Sequence, residues 1–356
     1  MGAPFLEIRL DTIASNAKAI VDFCSSFGVE VWGVTKGCCG MPEVARAMLE
    51  GGVSGIGESR LANIYRLRSA GINAPFLMLR LPHISEARSI VEAFDISLNS
   101  EIDTIKALAA EARAIGQKHG IILMVDTGDL REGVWPDRVI DTAREIKTLV
   151  GVELIGLGTN LSCYGGVIPS EINLGLLVQL AHQIKQELGV HLKYISGGNT
   201  STLPLMARGK LPEGVNMLRI GEAILQGTES INRTPWPGTR QNAFVLYAEV
   251  IEVAEKPSVP IGERGQDGFG GYPVFEDRGI IRRAIVNIGR QDVLAENLTC
   301  LDKGITILGA SSDHMILDAT HAQQDLKVGD IVGFNLGYGA MLQAMTSPFI
   351  QKKPAP

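Results

Sequence analysis

The stretch Val29–Gly40, VEVWGVTKGCCG, is an apolar run that stops on a lysine and then turns on glycines. A strand covered on both faces reads as a continuous apolar run, and lysine is among the residue types least compatible with such burial. Seven more runs of this form follow: GVSGIGES, PFLMLR, DISLN, GIILMVDTG, ELIGLGTNL, KYISGGNT and MLRIGEAI. Between them, MPEVARAMLEGG, SRLANIYRLRSAG and EIDTIKALAAEARAIG place apolar residues at helical spacing with charges between. Eight strand–helix alternations up to about Gly227 predict a TIM (β/α)8 barrel. An open doubly wound sheet has fewer units and a glycine fingerprint after its first strand, and none is present here.

The rhythm changes after Gly227. SINRTPWPGTRQ reads as a connection, and AFVLYAEVIEV, RRAIVNIG, GITILGA, HMILDAT and VGDIVGFNLG have strand character. The expectation is a barrel over residues 1–232 and a C-terminal all-β domain over residues 233–356.

Composition excludes several classes of partner. The chain has 356 residues, 45% hydrophobic and 20% charged, with a net charge of −6. No apolar run approaches the roughly 20 residues that span a bilayer, and no basic stripe tracks a phosphate backbone. Neither membrane nor nucleic acid is expected as a partner. The N-terminus lacks the basic-then-apolar pattern of a secretory signal, so a cytoplasmic location is expected. Five cysteines without a CxxC pair and six histidines without HExxH spacing predict no metal.

Catalytic groups of such barrels project from the C-terminal ends of the strands. Here those positions hold Lys36, Glu58 with Ser59, Arg80, Asn99, Asp126, Asn160, Ser196 and Arg219. A polar residue where a strand leaves the core is often turn chemistry alone. The seventh and eighth ends add more: SGGNTST supplies Ser196, Gly197, Gly198, Asn199 and Thr200 before a helix, and RIGE supplies Gly221. Backbone N–H groups and hydroxyls in such loops can cradle a dianion, and the loops after strands seven and eight are the usual phosphate site of the fold. A lysine at strand one and a phosphate site at strands seven and eight together suggest pyridoxal 5′-phosphate carried on Lys36. Apolar surroundings would lower the pKa of that amine and make it a usable nucleophile and base.

These residues resemble the alanine racemase-like pyridoxal-phosphate enzymes, and most strongly the ornithine and other basic amino-acid racemases. The likeness covers nearly the whole chain, through VTKG, VDTGDLREGV, GTNLSCYGGVIP, SGGN, LRIGE, KPSVPIGERGQDGFG, ASSDHMILD and GYGAMLQAMTSPF. It implies a racemase that interconverts L- and D-amino acids, most strongly ornithine or lysine. It also implies a homodimer in which one subunit's β domain completes the other's barrel mouth. By the same resemblance Lys36 carries the cofactor and Arg131 lies near its phenolic oxygen and the substrate carboxylate. Asn160 occupies the position of a ring-packing histidine. Ser196, Gly197, Gly198, Asn199, Thr200, Gly221 and Tyr338 hold the phosphate, and Arg219 faces the pyridine nitrogen. Ser312 and Asp313 approach the substrate. A guanidinium donates a hydrogen bond but does not readily release its proton, which favours return of the proton to Cα over transamination. The bland alternative for Arg219 is a surface pair with Glu222.

One departure stands out. Related enzymes place a tyrosine as second acid/base in the β domain, and here the matching stretch SVPIG has Ile261. Cys163, His314, Asp313, Asp267 and Tyr272 are the possible replacements, with Cys163 first and His314 next. For a distal ammonium the acidic candidates are Asp129, Glu132, Asp267, Asp292 and Asp313; the bland alternative for the two beside Arg131 in GDLRE is that they merely position the arginine. Two rival readings keep the cofactor: a D-hydroxyamino-acid lyase or aldolase, and a non-catalytic pyridoxal-phosphate-binding protein.

Overall fold

The structure is a computed structural model and describes residues 2–355. Its first strand, β1 (Phe5–Arg9), lies outside the barrel. Eight parallel strands follow: β2 (Glu30–Val34), β3 (Gly55–Glu58), β4 (Phe76–Met78), β5 (Ile96–Asn99), β6 (His119–Met124), β7 (Val152–Gly158), β8 (Tyr194–Ser196) and β9 (Met217–Ile220). They pair in chain order and β9 returns to β2, which closes the barrel. All eight apolar runs of the sequence are these strands, and the three helices expected from periodicity form at Pro42–Glu50, Leu61–Ser69 and Ile102–Ala114.

The barrel interior is filled rather than hollow. Trp32, Leu77, Leu98, Ile122, Met124, Tyr194 and Met217 form one buried cluster, and the Trp32 and Tyr194 rings meet edge to face at 6.1 Å. Gly55 is a packing requirement of that core, since a Cβ there would lie 2.6 Å from the Trp32 ring. This plug leaves the C-terminal strand ends as the open mouth.

The chain divides into two compact units, one of Leu10–Gln241 and one of the residues up to Arg9 with those from Asn242 onward. The expected boundary at residue 232 therefore shifts to 241, and the first residues leave the barrel. The physical reason is backbone pairing: β1 runs antiparallel to β10 (Phe244–Pro257), with Leu6 opposite Leu246. The second unit adds β11 (Ile280–Val286), β12 (Leu298–Cys300), β13 (Thr306–Ala310), β14 (Met315–Asp318), β15 (Ile331–Leu336) and β16 (Gln351–Ala355). The main sheet order is β12-β15-β10-β11-β14-β13, with β1 on β10 and β16 on β1. One nine-residue helix, Tyr338–Thr346, interrupts the otherwise β character.

Candidate active site

Lys36 does not end its strand; it opens a 3-10 turn, Lys36–Cys38, two residues past β2. Thr35 N–H donates to Gly57 O at 3.1 Å, so the turn starts pinned to β3. The Lys36 side chain is reachable by solvent yet recessed among protein atoms. Burial is the main cause of its lowered pKa, followed by the charge of Arg131 and then that of Arg219, against the partial opposition of Cys163 and Glu58. The sequence anticipated the burial contribution. That two guanidinium groups face the same amine is decided by the barrel.

Arg131 lies on the loop after β6. Glu132 accepts from its Nε and Nη2, which raises the guanidinium pKa above its ordinary range. The free edge is turned inward: Nη1 donates to Cys163 Sγ at 2.8 Å. With its amide oxygen facing Arg131, Asn160 accepts from Nη1 at 3.2 Å and from Nη2 at 3.3 Å. The loop is held tightly. Asp126 Oδ1 accepts from Gly128 N at 2.8 Å and Leu130 N at 3.2 Å. Gly133 has φ of +137°, and a Cβ there would sit 2.2 Å from Asp126 N.

Arg219, on β9 opposite Trp32, is only 5% exposed. It donates to Ser196 Oγ, and its Nη2 donates to Thr159 O at 2.8 Å. Burial holds its pKa down to about 10, so it keeps its charge at neutral pH. The surface pairing with Glu222 does not occur, because Glu222 instead meets Arg233 Nη1 at 3.2 Å.

Beside Arg219, the loop after β8 runs through Gly198, with φ of +104°, into the 3-10 turn Thr200–Thr202 and the helix Leu203–Ala207. Asn199 Oδ1 caps Ser201 N at 2.8 Å, and Asn199 Nδ2 donates to Leu161 O at 2.9 Å. Thr200 Oγ1 accepts from Ala223 N at 3.3 Å, joining this loop to the one after β9. Ser201 Oγ is buried with no partner among the described residues. The N–H groups of Gly198, Thr200, Gly221 and Glu222 also have no acceptor among the described residues.

A sequence model of the alanine racemase N-terminal domain matches residues 8–228, more than half of the chain. The chain belongs to the alanine racemase family. It is 43% identical over 349 residues to the lysine racemase of Thermotoga maritima, covering 98% of each chain. It is 39% identical over 351 residues to the ornithine racemase of Acetoanaerobium sticklandii, covering 98% of this chain and 99% of that one. In fold it resembles an alanine racemase from Streptomyces lavendulae, with a TM-score of 0.75 at 19% identity over 100% of this chain and 98% of that one. The chain is accordingly an isomerase, an amino-acid racemase.

The racemase gathers Lys36, Arg131, Asn160, Cys163, Arg219, Ser196 and the 197–200 loop at one end of its barrel, as the strand order requires. Some expected positions serve the scaffold instead. Asn99 turns its amide to Ser97 O at 3.0 Å and Ser97 Oγ at 2.8 Å. Asp129, expected among the ammonium partners, is 1% exposed and accepts from Cys163 N, Tyr164 N at 3.0 Å and Val167 N at 3.1 Å. It shapes the cysteine loop. Asp292 accepts from Ser347 Oγ at 2.9 Å and Gly289 N at 3.3 Å.

In the second unit Tyr338 opens the helix, and Ser312, Asp313 and His314 form the exposed turn between β13 and β14. Asp313 Oδ1 accepts from Gln291 at 2.8 Å. Ile261, 89% exposed, Asp267 and Tyr272 lie on the irregular segment between β10 and β11. Asp267 Oδ1 caps Phe269 N at 2.9 Å and Gly271 N at 2.8 Å, and these bonds lower its pKa. Of the two carboxylates beside Arg131 in GDLRE, Glu132 positions the arginine, in line with the bland alternative, and Asp129 does not.

Among the described residues no helix is long and apolar enough to cross a membrane. No group of three or more His, Cys, Asp or Glu side chains among them could hold a metal ion.

Proposed function

We propose that this racemase interconverts the L- and D-forms of a basic amino acid, lysine or ornithine, using pyridoxal 5′-phosphate carried on Lys36. The observation that carries the reading is the surroundings of Lys36, a recessed amine whose proton is disfavoured by burial and by two guanidinium groups. The names of the two near-full-length relatives support the substrate class.

The residues present fit the cofactor. A phosphate group would find the N–H groups of Gly198, Thr200, Gly221 and Glu222 without competing acceptors, and the orphaned Ser201 hydroxyl lies in the same loop. Gly197, Asn199 and Tyr338 complete the proposed set. Ser196 has a different task, because its hydroxyl is bonded to Arg219; it orients that guanidinium. When bound, the cofactor supplies an electron-withdrawing ring that makes the substrate Cα–H acidic.

The chain's own groups then do the rest. Lys36 removes or returns the Cα proton on one face, a task its lowered pKa favours. Arg219 would hold the ring nitrogen as a hydrogen-bond donor that keeps its own proton. Arg131, clamped by Glu132, offers Nη1 toward substrate and Cys163. Cys163 serves the opposite face, because its thiol is exposed and receives the Arg131 hydrogen bond at the same end of the barrel as Lys36. Ser312 and Asp313 approach the substrate from the β domain, and the active unit is a homodimer. Its mass in solution by light scattering checks the last point.

Racemisation assays over a panel of amino acids test the reading: lysine or ornithine should lose optical rotation fastest, and no loss with any amino acid would overturn it. For the second base, solvent deuterium incorporation at Cα should fall about 100-fold or more from one enantiomer only in Cys163→Ala. In His314→Ala it should stay near native. The reverse pattern would assign the base to His314.

A further inference from the structure

Glu58 is a buried carboxylate to which the proposed reaction gives no task. It ends β3 with 0% exposure, a position where an acid survives only if its oxygens are satisfied. They are: Oε2 accepts from Thr35 Oγ1 at 2.9 Å, and Oε1 from Ser59 N at 2.6 Å, with the Asn63 side chain as a further donor. Burial is the largest influence on Glu58 and raises its pKa, and the donors on both oxygens, which favour the charged form, oppose that rise. Thr35, itself 0% exposed, is the residue immediately before Lys36, and its N–H is bonded to Gly57 O on the same strand as Glu58. The turn that presents the lysine is thus held to β3 by a backbone bond and a side-chain bond.

The charges point the same way. Lys36 is faced by Arg131 and Arg219, by the Cys163 thiol and by Glu58; Glu58 in turn is faced by Lys36 and the buried Cys38 thiol.

We propose that Glu58 is a positioning residue for Lys36, anchoring its turn through Thr35 and supplying the carboxylate that offsets two neighbouring guanidinium groups. The proposal rests on the reading of Lys36 as the reactive amine.

It is tested on the full-length protein stripped of cofactor, by trace acetylation of lysines with acetic anhydride across pH and peptide mass spectrometry. Glu58→Gln keeps the shape and removes the charge. The labelling midpoint of Lys36 should move to lower pH while those of exposed lysines such as Lys18 stay in place. An unchanged Lys36 midpoint with only a lowered melting temperature would make Glu58 a structural residue and overturn the charge role. Thr35→Val keeps the backbone bond to Gly57 and removes the side-chain anchor; kcat should fall about tenfold with KM unchanged, the size of effect that slight misplacement brings, and Thr35→Ser should restore it. A native rate in Thr35→Val overturns the anchoring role, and this variant keeps the proposal testable should Glu58→Gln not fold. Borohydride reduction of the holoenzyme separates the two levels. A label on another lysine removes the reading of Lys36, whereas the midpoint measurement on Lys36 stands by itself.

Discussion

Replacing Lys36 by alanine should abolish racemisation, a loss of at least about 10³-fold, with folding stability unchanged or slightly raised. The first half follows from chemistry: one amine is the proposed attachment point and one of the two proton carriers, and no other lysine of the barrel unit is brought among Arg131, Arg219 and Cys163. The second half follows from electrostatics. Lys36 is solvent-reachable and is repelled by two guanidinium groups, so its removal relieves repulsion and opens no cavity. Turnover assays and thermal unfolding measure the two halves together. Borohydride trapping of native protein followed by peptide mapping should place the label on Lys36. Native-like turnover in the alanine variant would end the assignment.

Arg219→Met should damage both stability and activity. The side chain is buried on β9 and supplies the donors that reach Ser196 Oγ and Thr159 O. Methionine fills similar space but leaves a carbonyl and a hydroxyl unpaired in the interior, at about 1–3 kcal/mol for each group left unsatisfied. Part of that loss is offset because a desolvated charge also disappears, so a net destabilisation of about 2 kcal/mol is expected in urea unfolding. Turnover should fall about 100-fold, since the proposed donor to the cofactor ring is gone. Arg219→Lys would keep the charge without the planar fork and should recover little. A methionine variant as stable and active as the native chain would show that the buried arginine is incidental.

These two residues illustrate different degrees of legibility. Lys36 stands out in sequence because a charged residue ends an apolar run, which is a local contradiction any reader of VEVWGVTKG meets. Arg219 is equally out of place in MLRIGEAI, but its partners lie 23 and 60 residues earlier in the chain, and no local pattern announces them. The same holds for Ser196. Its place in SGGNTST made it look like a phosphate ligand, and only the pairing of β8 with β9 shows its hydroxyl on Arg219.

The acidic residues show the limit more sharply. Asp129, Glu132, Asp267, Asp292 and Asp313 were equivalent candidates for a substrate ammonium on composition alone. Their hydrogen bonds separate them: Asp129, Asp267 and Asp292 cap backbone N–H groups, Asp313 takes a glutamine amide, and Glu132 grips its neighbour arginine.

Sequence alone determined the eight strand–helix units, the strand-rich C-terminal part and the lysine that follows the first barrel strand, because burial on both faces imposes apolar runs and helices impose their own period. The tertiary structure decided which charges meet, that β1 joins the second unit, and that Thr35 and Glu58 hold the lysine turn. Those outcomes depend on closing a barrel across residues far apart in the chain, and the energy of a hydrogen bond or a charge pair depends on distance in space, which no local pattern encodes.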